Sequence, residues 1–512
     1  MIAWLQRNRT SVRLAFLLRL FTMAAGAVLS LVFTRLLLRT MGDAAYGLFL
    51  AFQSVTRLGG LGDLGVSGAT GIRAGQLLGR GEDDKLRKLL ASSRALCLLL
   101  AGFLFIGFAV LAPWLPHWLN FKDVPGTGSL PLLFVWGGLS AATMILAGYV
   151  SNLNLAHGTV TWPIIPGVFI GQLLAPLLHW QLAAHHAPLW VQNLPYVGSA
   201  LLIGWLAWQM LKWSHPWLGD LRPLHFDGTT SKALIAASGW AYLSSLGSAV
   251  YFNTDRLVIN AGFGPDIIPV YQANYKACEL IVVLVLSASY VGLPKLTQWI
   301  SSPHAADRQR ALSETKRLNI FQIVLGCGAA LGYLALNDLF VRLWLGEKYQ
   351  GPLLWQVAFA CNLAVTTGGD AGIQMASRCG EGGLKKLGLA VGGTGLLNLA
   401  LSLVAMKYGS ITGIAVATVI AQSVLSISLG YYTCRHLGFS VVRWTLKSWL
   451  LPLMIVLVAS GLKTFFPDQS ILHIGALLGC FAVLLLVAAG LAGVNREMMR
   501  AEIAMLRAAL KI

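Results

Sequence analysis

The sequence predicts an all-α polytopic membrane protein with about fourteen transmembrane helices, arranged as two pseudo-symmetric six-helix bundles plus two C-terminal helices. Apolar residues make up 56% of the chain and charged residues only 11%, whereas about 25% of the residues of a typical soluble protein are charged. The apolar residues come in runs of about twenty, the length that crosses about 30 Å of hydrocarbon. A soluble core of ordinary size could not bury so much apolar surface.

Fourteen apolar segments follow one another along the chain. The first begins after three arginines and is too long for the core of a signal peptide, so we expect no cleaved signal. The second and the seventh are only moderately hydrophobic. The predicted spans are 14–38, 44–72, 91–118, 129–155, 160–184, 187–211, 232–254, 266–293, 318–341, 352–377, 386–407, 411–434, 443–464 and 471–493.

The basic residues indicate the orientation of these spans. With both termini in the cytoplasm, the cytoplasmic segments hold 27 of the 38 Lys and Arg residues and the opposite side holds 8. The other three, Arg19, Arg57 and Lys276, lie inside spans. An excess of Lys and Arg marks cytoplasmic loops. With an odd number of spans, the loops rich in Lys and Arg would no longer all lie on one side. The net charge of +18 therefore does not indicate a nucleic-acid partner.

Two matches at nearly constant offset suggest an internal repeat. An offset of 222 places Gly42 on Gly264, and HWLN at 117–120 resembles LWLG at 343–346 at an offset of 226. Repeats of this kind are common in membrane proteins whose two bundles open a central cavity to each side in turn. The predicted domains are an N-terminal bundle, a cytoplasmic linker, a C-terminal bundle, and two extra helices with a cytoplasmic tail, at 1–212, 213–231, 232–436 and 437–512.

A glycine-rich motif, GLGDLG, occupies Gly60 to Gly65 in the second span. It matches the G-x-G-x-x-G fingerprint of dinucleotide-binding folds, with Glu82 about twenty residues downstream. That fingerprint needs a strand before it and a helix after it in a soluble βαβ unit, and neither pattern is present here. We predict instead that the glycines allow close helix packing and bending of a continuous span. The mixed charges from Arg73 to Arg94 predict a short surface helix.

Ionisable residues inside the spans are the candidate functional residues, because a charge at mid-membrane costs about 2.5–3.5 kcal/mol on insertion scales. Arg57 and Asp63, six residues apart, are expected on opposite faces of one helix. Gln272, Lys276 and Glu279 fall at i, i+4 and i+7 and predict one polar stripe. Each of these charged residues could instead form a structural ion pair. For Lys276 and Glu279 that pair would form within the helix.

A hydrated cavity between the halves, suited to an anionic group, would accommodate these residues. Its predicted lining is Arg19, Arg57, Lys276, Arg256, Gln53, Gln272, Tyr271, Tyr275, Asn152 and Asn154. Asp63, Glu279 and Asp370 are candidates for binding a coupling proton or sodium ion. The seven cysteines form no C-x-x-C pair and the ten histidines are scattered, so we predict neither a metal site nor a cofactor. No catalytic constellation is present, and we predict that the chain is not an enzyme.

Several blocks resemble a known superfamily. TRLLLRTMGDAAYGLFLAFQSV followed by GLGDLGVSGA is similar to the first two helices of the polysaccharide-transport branch of the multidrug/oligosaccharidyl-lipid/polysaccharide exporter superfamily. TDRLVINAGFGPDIIPVYQANYKACEL, closing with GLPKL, resembles the seventh and eighth helices, and LWLGEKYQG and MKYGSITGIAVATVIAQSV resemble later blocks. The likeness covers nearly the whole chain. Pro269, two residues before Tyr271, departs from it, since relatives commonly have glycine there.

This resemblance implies a flippase of the bacterial inner membrane. Such proteins move undecaprenyl-pyrophosphate-linked oligosaccharides from the cytoplasmic to the periplasmic leaflet by alternating access, for O-antigen, capsule or exopolysaccharide assembly. A polysaccharide polymerase and chain-length machinery are the implied partners, beside the lipid bilayer. Related lipid II flippases use arginines of the first, second and eighth helices, and Arg19, Arg57 and Lys276 occupy comparable helices here.

Two other functions compete with this one. A drug or cation antiporter of the same superfamily would need an acidic cavity. A membrane glycosyltransferase or polymerase would need a large loop with clustered carboxylates, and no loop of this chain exceeds about thirty residues.

Overall fold

The computed structural model is mostly helical in the part of the chain that it describes, and those residues contain no strand. The described residues are 12–80, 82–122, 124–156, 166–214, 228–290, 296, 299–300, 304–379, 382–466 and 471–494.

The main helices follow the order of the predicted spans. They are α1 (Val12–Met41), α2 (Asp43–Gly59), α3 (Val66–Arg80), α4 (Asp83–Leu111), α5 (Leu130–Ala156), α6 (Gly167–Ala184), α7 (Leu194–Ser214), α8 (Gly228–Phe263), α9 (Ile268–Tyr290), α10 (Ala305–Trp344), α11 (Leu353–Ala376), α12 (Gly383–Lys407), α13 (Ile411–Leu437), α14 (Val441–Lys463) and α15 (Ile471–Ala492).

Each predicted span coincides with one of these helices, except that α2 and α3 share the second span. Among the described residues, ten helices are long and apolar enough to cross a membrane. The spans outside those ten are the second, seventh, eighth and tenth, formed by α2 with α3, α8, α9 and α11. They hold most of the ionisable candidates, which lower their hydropathy. The prediction of an all-α multi-pass membrane protein is confirmed.

The surface helix predicted between Arg73 and Arg94 is wrong. α3 continues to Arg80 and α4 starts at Asp83, so the segment forms the end of α3 and the start of the long helix α4. Asp83 and Asp84 lie in the first turn of α4, where carboxylates interact favourably with the positive end of the helix dipole. The charges therefore begin a long helix and do not form a separate amphipathic one.

The chain divides into two compact units, Met1–Pro269 (unit 1) and Val270–Ile512 (unit 2). The sequence instead predicts a linker at 213–231, and residues 215–227 lie outside the described residues. The predicted repeat and its domain boundaries stay predictions. Gly42 and Gly264, matched at an offset of 222, both have positive φ, at 77° and 98°. That conformation is costly for residues with a side chain.

Unit 1 is built around α5, which contacts α2, α3, α4 and α7. A glycine pair brings these helices close together. A Cβ added to Gly137 would lie 2.6 Å from Phe52, and one added to Gly138 would lie 2.3 Å from Phe108. Both distances are shorter than any ordinary carbon contact, so only glycine fits at these positions.

Unit 2 is built around α11, which contacts α10, α13 and α14. It also carries a glycine pair. A Cβ on Gly368 would lie 2.5 Å from the carbonyl oxygen of Ser448, and one on Gly369 would lie 2.4 Å from Oγ of Ser426. The fourth and the tenth predicted spans thus play a similar part in the two units, each as a central helix whose glycine pair lets neighbouring residues approach closely.

Candidate functional site

The glycine motif forms a break between two helices. α2 ends at Gly59 and α3 begins at Val66. Within the break, the Oδ1 atom of Asp63 accepts a hydrogen bond from the Gly65 N–H at 3.0 Å, and Oδ2 accepts one from the Ser67 N–H at 3.3 Å. Asp63 therefore caps the start of α3 in the way that short acidic side chains cap helices. The prediction of a continuous span, with Arg57 and Asp63 on opposite faces, is wrong.

Helix α8, which is also in unit 1, packs against this break and holds it in place. Leu64 has φ of 52°, a conformation that a residue with a branched side chain keeps only when its surroundings enforce it. The Ser238 hydroxyl donates a hydrogen bond to the Leu64 carbonyl at 3.0 Å. A Cβ added to Gly65 would lie 3.1 Å from the Cβ atoms of Ser238 and Tyr242. The break is thus a built feature of unit 1.

The cations predicted to line the cavity in unit 1 differ in their exposure. Arg57 lies in the last turn of α2 and is exposed, with half-buried Gln53 one turn earlier on the same side. Arg256 on α8 is buried. Arg19 lies in α1, but its side chain is outside the described part of the structure. An exposed arginine in a span is best placed against water, because lipid exposure is costly.

The two asparagines of the fourth span have structural partners. Asn154 is buried and donates hydrogen bonds to the carbonyls of Val150 and Ala207, at 3.0 and 3.3 Å. Asn152 is half-buried and donates to the Gly148 carbonyl at 2.9 Å. The backbone of Asn152 also faces α3, where a Cβ on Gly71 would meet its carbonyl at 3.0 Å. Both residues help to pack α5 against its neighbours.

The polar stripe on α9 is present, and its charges pair within the helix. Lys276 Nζ lies 3.0 Å from Glu279 Oε2, and the two side chains are 16% and 33% exposed. Gln272 is buried and donates to the same carboxylate oxygen at 3.3 Å. The intrahelical ion pair that the sequence left as the alternative is therefore formed. The stripe presents a balanced pair of charges and not an isolated cation.

The tyrosines beside this stripe pack against α11. The ring of Tyr271 is buried and lies edge-on to Trp355 and Phe359, with centroid distances of 5.7 and 5.1 Å. Tyr275 is half-buried and its ring lies 5.2 Å from that of Phe359. Tyr271 thus contributes to the packing of unit 2, and its place in the cavity lining stays a prediction.

Asp370 is a buried carboxylate in the middle of unit 2. It lies on α11, beside the glycine pair, and is only 4% exposed. Gln322 of α10 donates a hydrogen bond to its Oδ2 at 2.6 Å, and Gln374 donates to its Oδ1 at 3.1 Å. No basic side chain among the described residues lies within ion-pair distance of Asp370. A carboxylate held by amides inside a span is a functional-site candidate by default.

A partly buried ion pair at the end of α14 was not predicted from the sequence. Lys463 Nζ lies 2.7 Å from Asp338 Oδ2 and donates to the Leu334 carbonyl at 2.7 Å and to Gln356 Oε1 at 2.8 Å. The Gln356 amide donates in turn to Asp338. This cluster joins α10, α11 and α14, and therefore fastens the thirteenth span to the centre of unit 2. The sequence places Lys463 near a span end, as an ordinary loop cation.

A second missed cluster centres on Asn274 of α9. Its amide donates to the carbonyls of Val270 and Tyr349, at 2.8 and 2.9 Å, and its Oδ1 accepts from the Gly351 N–H at 3.1 Å. The Tyr333 hydroxyl donates to the Asn274 carbonyl at 2.8 Å. One asparagine thereby ties α9 to α10 and to the turn before α11. The signal available in the sequence was a polar residue in an apolar helix, which needs a buried partner.

Among the described residues, no group of three or more His, Cys, Asp or Glu residues could hold a metal ion. The seven cysteines are free thiols, and six are buried. Burial raises the pKa of the Cys379 thiol, in the turn after α11, to about 11.

Comparison with solved structures identifies the architecture. The chain matches "Lipid II flippase MurJ, inward closed conformation" with a TM-score of 0.66 and 15% identity, over 93% of this chain and 98% of the other. It matches an inward-facing multidrug resistance MATE family transporter of the MOP superfamily with a TM-score of 0.61 and 11% identity, over 84% and 99%. The chain has the fold of the MOP superfamily. The resemblance read from the sequence is confirmed at the level of the fold.

A third MOP-fold structure differs in the character of its binding pocket. It is a MOP superfamily transporter from Pyrococcus furiosus, described as having a binding pocket of reverse polarity, with a TM-score of 0.54 and 13% identity over 84% of this chain and 96% of the other. No family model matches the chain, and neither does any curated protein. At these identities the MOP fold alone is shared, and the function depends on this chain's own residues.

Proposed function

We propose that this protein is a flippase that moves undecaprenyl-pyrophosphate-linked oligosaccharide from the cytoplasmic to the periplasmic leaflet. The carrying observation is Arg57, an exposed arginine at the end of α2, immediately before the helix break. In a span of a MOP-fold protein such a side chain is best explained by a hydrated cavity that receives an anionic group. The pyrophosphate of a lipid-linked sugar is such a group.

The lipid-linked substrate sets a physical problem that this fold can solve. Its sugars and pyrophosphate cannot cross hydrocarbon cheaply, because each unpartnered polar group costs several kcal/mol. Its polyprenyl tail can stay in the bilayer. A cavity that opens first to one leaflet and then to the other would carry the head group while the tail remains in lipid. We place the protein in the inner membrane, with both termini cytoplasmic and with a polymerase and chain-length machinery as partners.

The cationic residues of the cavity have different roles in this proposal. Arg57 would bind the pyrophosphate with its planar, bidentate guanidinium group. Arg19 and Arg256 would add to the positive potential of unit 1. Lys276 would contribute less to the positive potential than the sequence suggests, because Glu279, 3.0 Å away, neutralises its charge.

A drug or cation antiporter is the second candidate, favoured by the MATE-fold matches and by the balanced charges on α9. The two candidates differ in the charge of the ligand. We expect a purified undecaprenyl-pyrophosphate-linked oligosaccharide to raise the melting temperature of the detergent-solubilised protein, because a ligand that binds only the folded state stabilises it. A quaternary ammonium drug should have no effect. Stabilisation by the drug alone would favour the antiporter.

For coupling to a proton or sodium ion, Asp370 is the best of the three carboxylates. Asp63 already accepts two backbone hydrogen bonds, and Glu279 is paired with Lys276. We therefore expect Asp370→Asn to remove the dependence of transport on an ion gradient in proteoliposomes. Asp63→Asn should leave it intact, because asparagine is also a good N-cap residue and its amide oxygen can still accept one of the two backbone hydrogen bonds that Asp63 accepts.

The thermal stability of both variants serves as a control for folding in this test. Asp63→Ala provides a further comparison. It should lower the stability of unit 1 by about 1 kcal/mol through loss of the cap. A gradient dependence that survives in Asp370→Asn and disappears in Asp63→Asn would assign coupling to Asp63.

A further inference from the structure

A cavity lies in unit 2 where α10 begins and α13 ends. It encloses about 500 Å³, counting the open space at its mouth. Two basic side chains, Arg308 and His436, line it together with the apolar side chains of Ile300, Leu312 and Leu437. His436 and Leu437 are the last residues of α13, just past the end of its apolar run. The cavity therefore lies at the level of the lipid head groups, on the side that the charge bias predicts to be cytoplasmic.

The basic groups around this cavity are available to a ligand. The Arg308 side chain is exposed and has no hydrogen-bond or ion-pair partner among the described residues. The ring of His436 lies 4.6 Å from the ring of Tyr432, and Lys386 Nζ lies 4.6 Å from the centroid of the same tyrosine ring. The Tyr432 hydroxyl donates to the Cys379 carbonyl at 2.7 Å, which fixes the ring between α13 and the turn after α11.

We propose that this cavity binds the phosphate head group of one anionic phospholipid. Arg308 and His436 would contact the phosphate, and Lys386 would add to the positive potential beside them. The glycerol and the first methylenes of the acyl chains would lie against Ile300, Leu312 and Leu437. Basic pockets between transmembrane helices on the cytoplasmic side are suited to such head groups. A soluble phosphate ion would use the cations but gain nothing from the apolar wall.

The site is separate from the proposed transport cavity, since its residues include none of those assigned to the pyrophosphate or to ion coupling. A lipid bound here would contact α10, α13 and the turn after α11, all within unit 2. Binding of the lipid can therefore be measured without any transport assay. A protein that did not bind it could still have the proposed transport function.

The experiment is a titration of the full-length, delipidated protein in neutral detergent with fluorescent phosphatidylglycerol, and with phosphatidylcholine carrying the same fluorophore. We expect saturable binding of phosphatidylglycerol alone. Each basic charge near a lipid surface contributes about a fivefold factor in affinity, so Arg308→Gln should weaken binding about fivefold. Arg308→Gln combined with His436→Gln should weaken it further. Both side chains are exposed, and we expect unchanged melting temperatures.

Arg310→Gln is the matched control. Arg310 lies on the same helix, is exposed, and approaches Asp307 at 3.7 Å outside the cavity lining. Its replacement should leave the affinity unchanged. Equal losses in Arg310→Gln and Arg308→Gln would show a general surface potential and overturn the proposal. Equal binding of phosphatidylcholine, or displacement of phosphatidylglycerol by equimolar inorganic phosphate, would also overturn it.

Discussion

Replacing Lys463 with methionine lowers the stability of unit 2 by about 3 kcal/mol, near the lower end of the range for removing one partner of a buried ion pair. The lysine and its partner Asp338 are only 12% and 20% exposed. Without the ammonium group, the Asp338 carboxylate keeps the Gln356 amide as a donor but loses its counter-charge. The thirteenth span also loses its bonds to Leu334 and Gln356. Denaturant titration of the solubilised protein measures the effect.

The control for this experiment is Lys447→Met on the same helix. Lys447 makes one hydrogen bond, to the Ala492 carbonyl at 2.9 Å, and none of the described carboxylates lies within ion-pair distance. Its replacement should cost about 1 kcal/mol or less. The double variant Lys463→Met with Asp338→Asn should recover part of the loss, since it removes the uncompensated charge. If Lys463→Met were no more destabilising than Lys447→Met, the buried pair would not fasten α14 to unit 2.

The second large effect is expected at Arg57. Hydrogen bonds to charged groups contribute about 1.5–3 kcal/mol, so Arg57→Ala should reduce transport of a pyrophosphate-linked substrate roughly tenfold to a hundredfold at limiting substrate. Arg57→Lys should retain part of the activity, because lysine keeps the charge but loses the bidentate geometry. Arg39→Ala is the matched control. Arg39 is also an exposed arginine at the end of a helix, but it lies outside the predicted cavity.

Transport is measured in proteoliposomes, and melting temperature verifies that each variant is folded. Arg57 is exposed, so its replacement removes no buried packing and should leave the melting temperature unchanged. Normal transport by Arg57→Ala would mean that this arginine does not bind the pyrophosphate. An equal loss in Arg39→Ala would indicate a general effect of surface charge.

The number and order of the spans were predictable because hydrophobic length is a local property. A run of about twenty apolar residues must form a helix in a membrane, whatever its neighbours are. The break between α2 and α3 also has a signal in the sequence, because an aspartate just before a run of small and apolar residues, as Asp63 is, marks a helix start. The hydrophobic length of residues 44–72 obscures that signal, since the whole segment is long enough for one continuous span.

The partners of the buried polar groups were not predictable in the same way. Asp338 and Lys463 are 125 residues apart, and no local sequence pattern around either residue identifies its partner. Spacing within a helix identifies only pairs such as Lys276 and Glu279, which are three residues apart. A weaker signal was present in α10, where Asn319, Gln322 and Asn337 fall on one face. That face could be recognised as buried, but its partners depend on tertiary packing.

The most direct test of the proposed function is translocation of a fluorescent undecaprenyl-pyrophosphate-linked oligosaccharide in proteoliposomes that contain the full-length protein. Substrate placed in one leaflet is followed by its accessibility to a membrane-impermeant quencher. We expect the wild-type protein to equilibrate the substrate between leaflets, with Arg57→Ala at least about tenfold slower and empty liposomes inactive. Transport of a cationic drug under an ion gradient, with no movement of the lipid-linked sugar, would contradict the proposal and identify the protein as an antiporter.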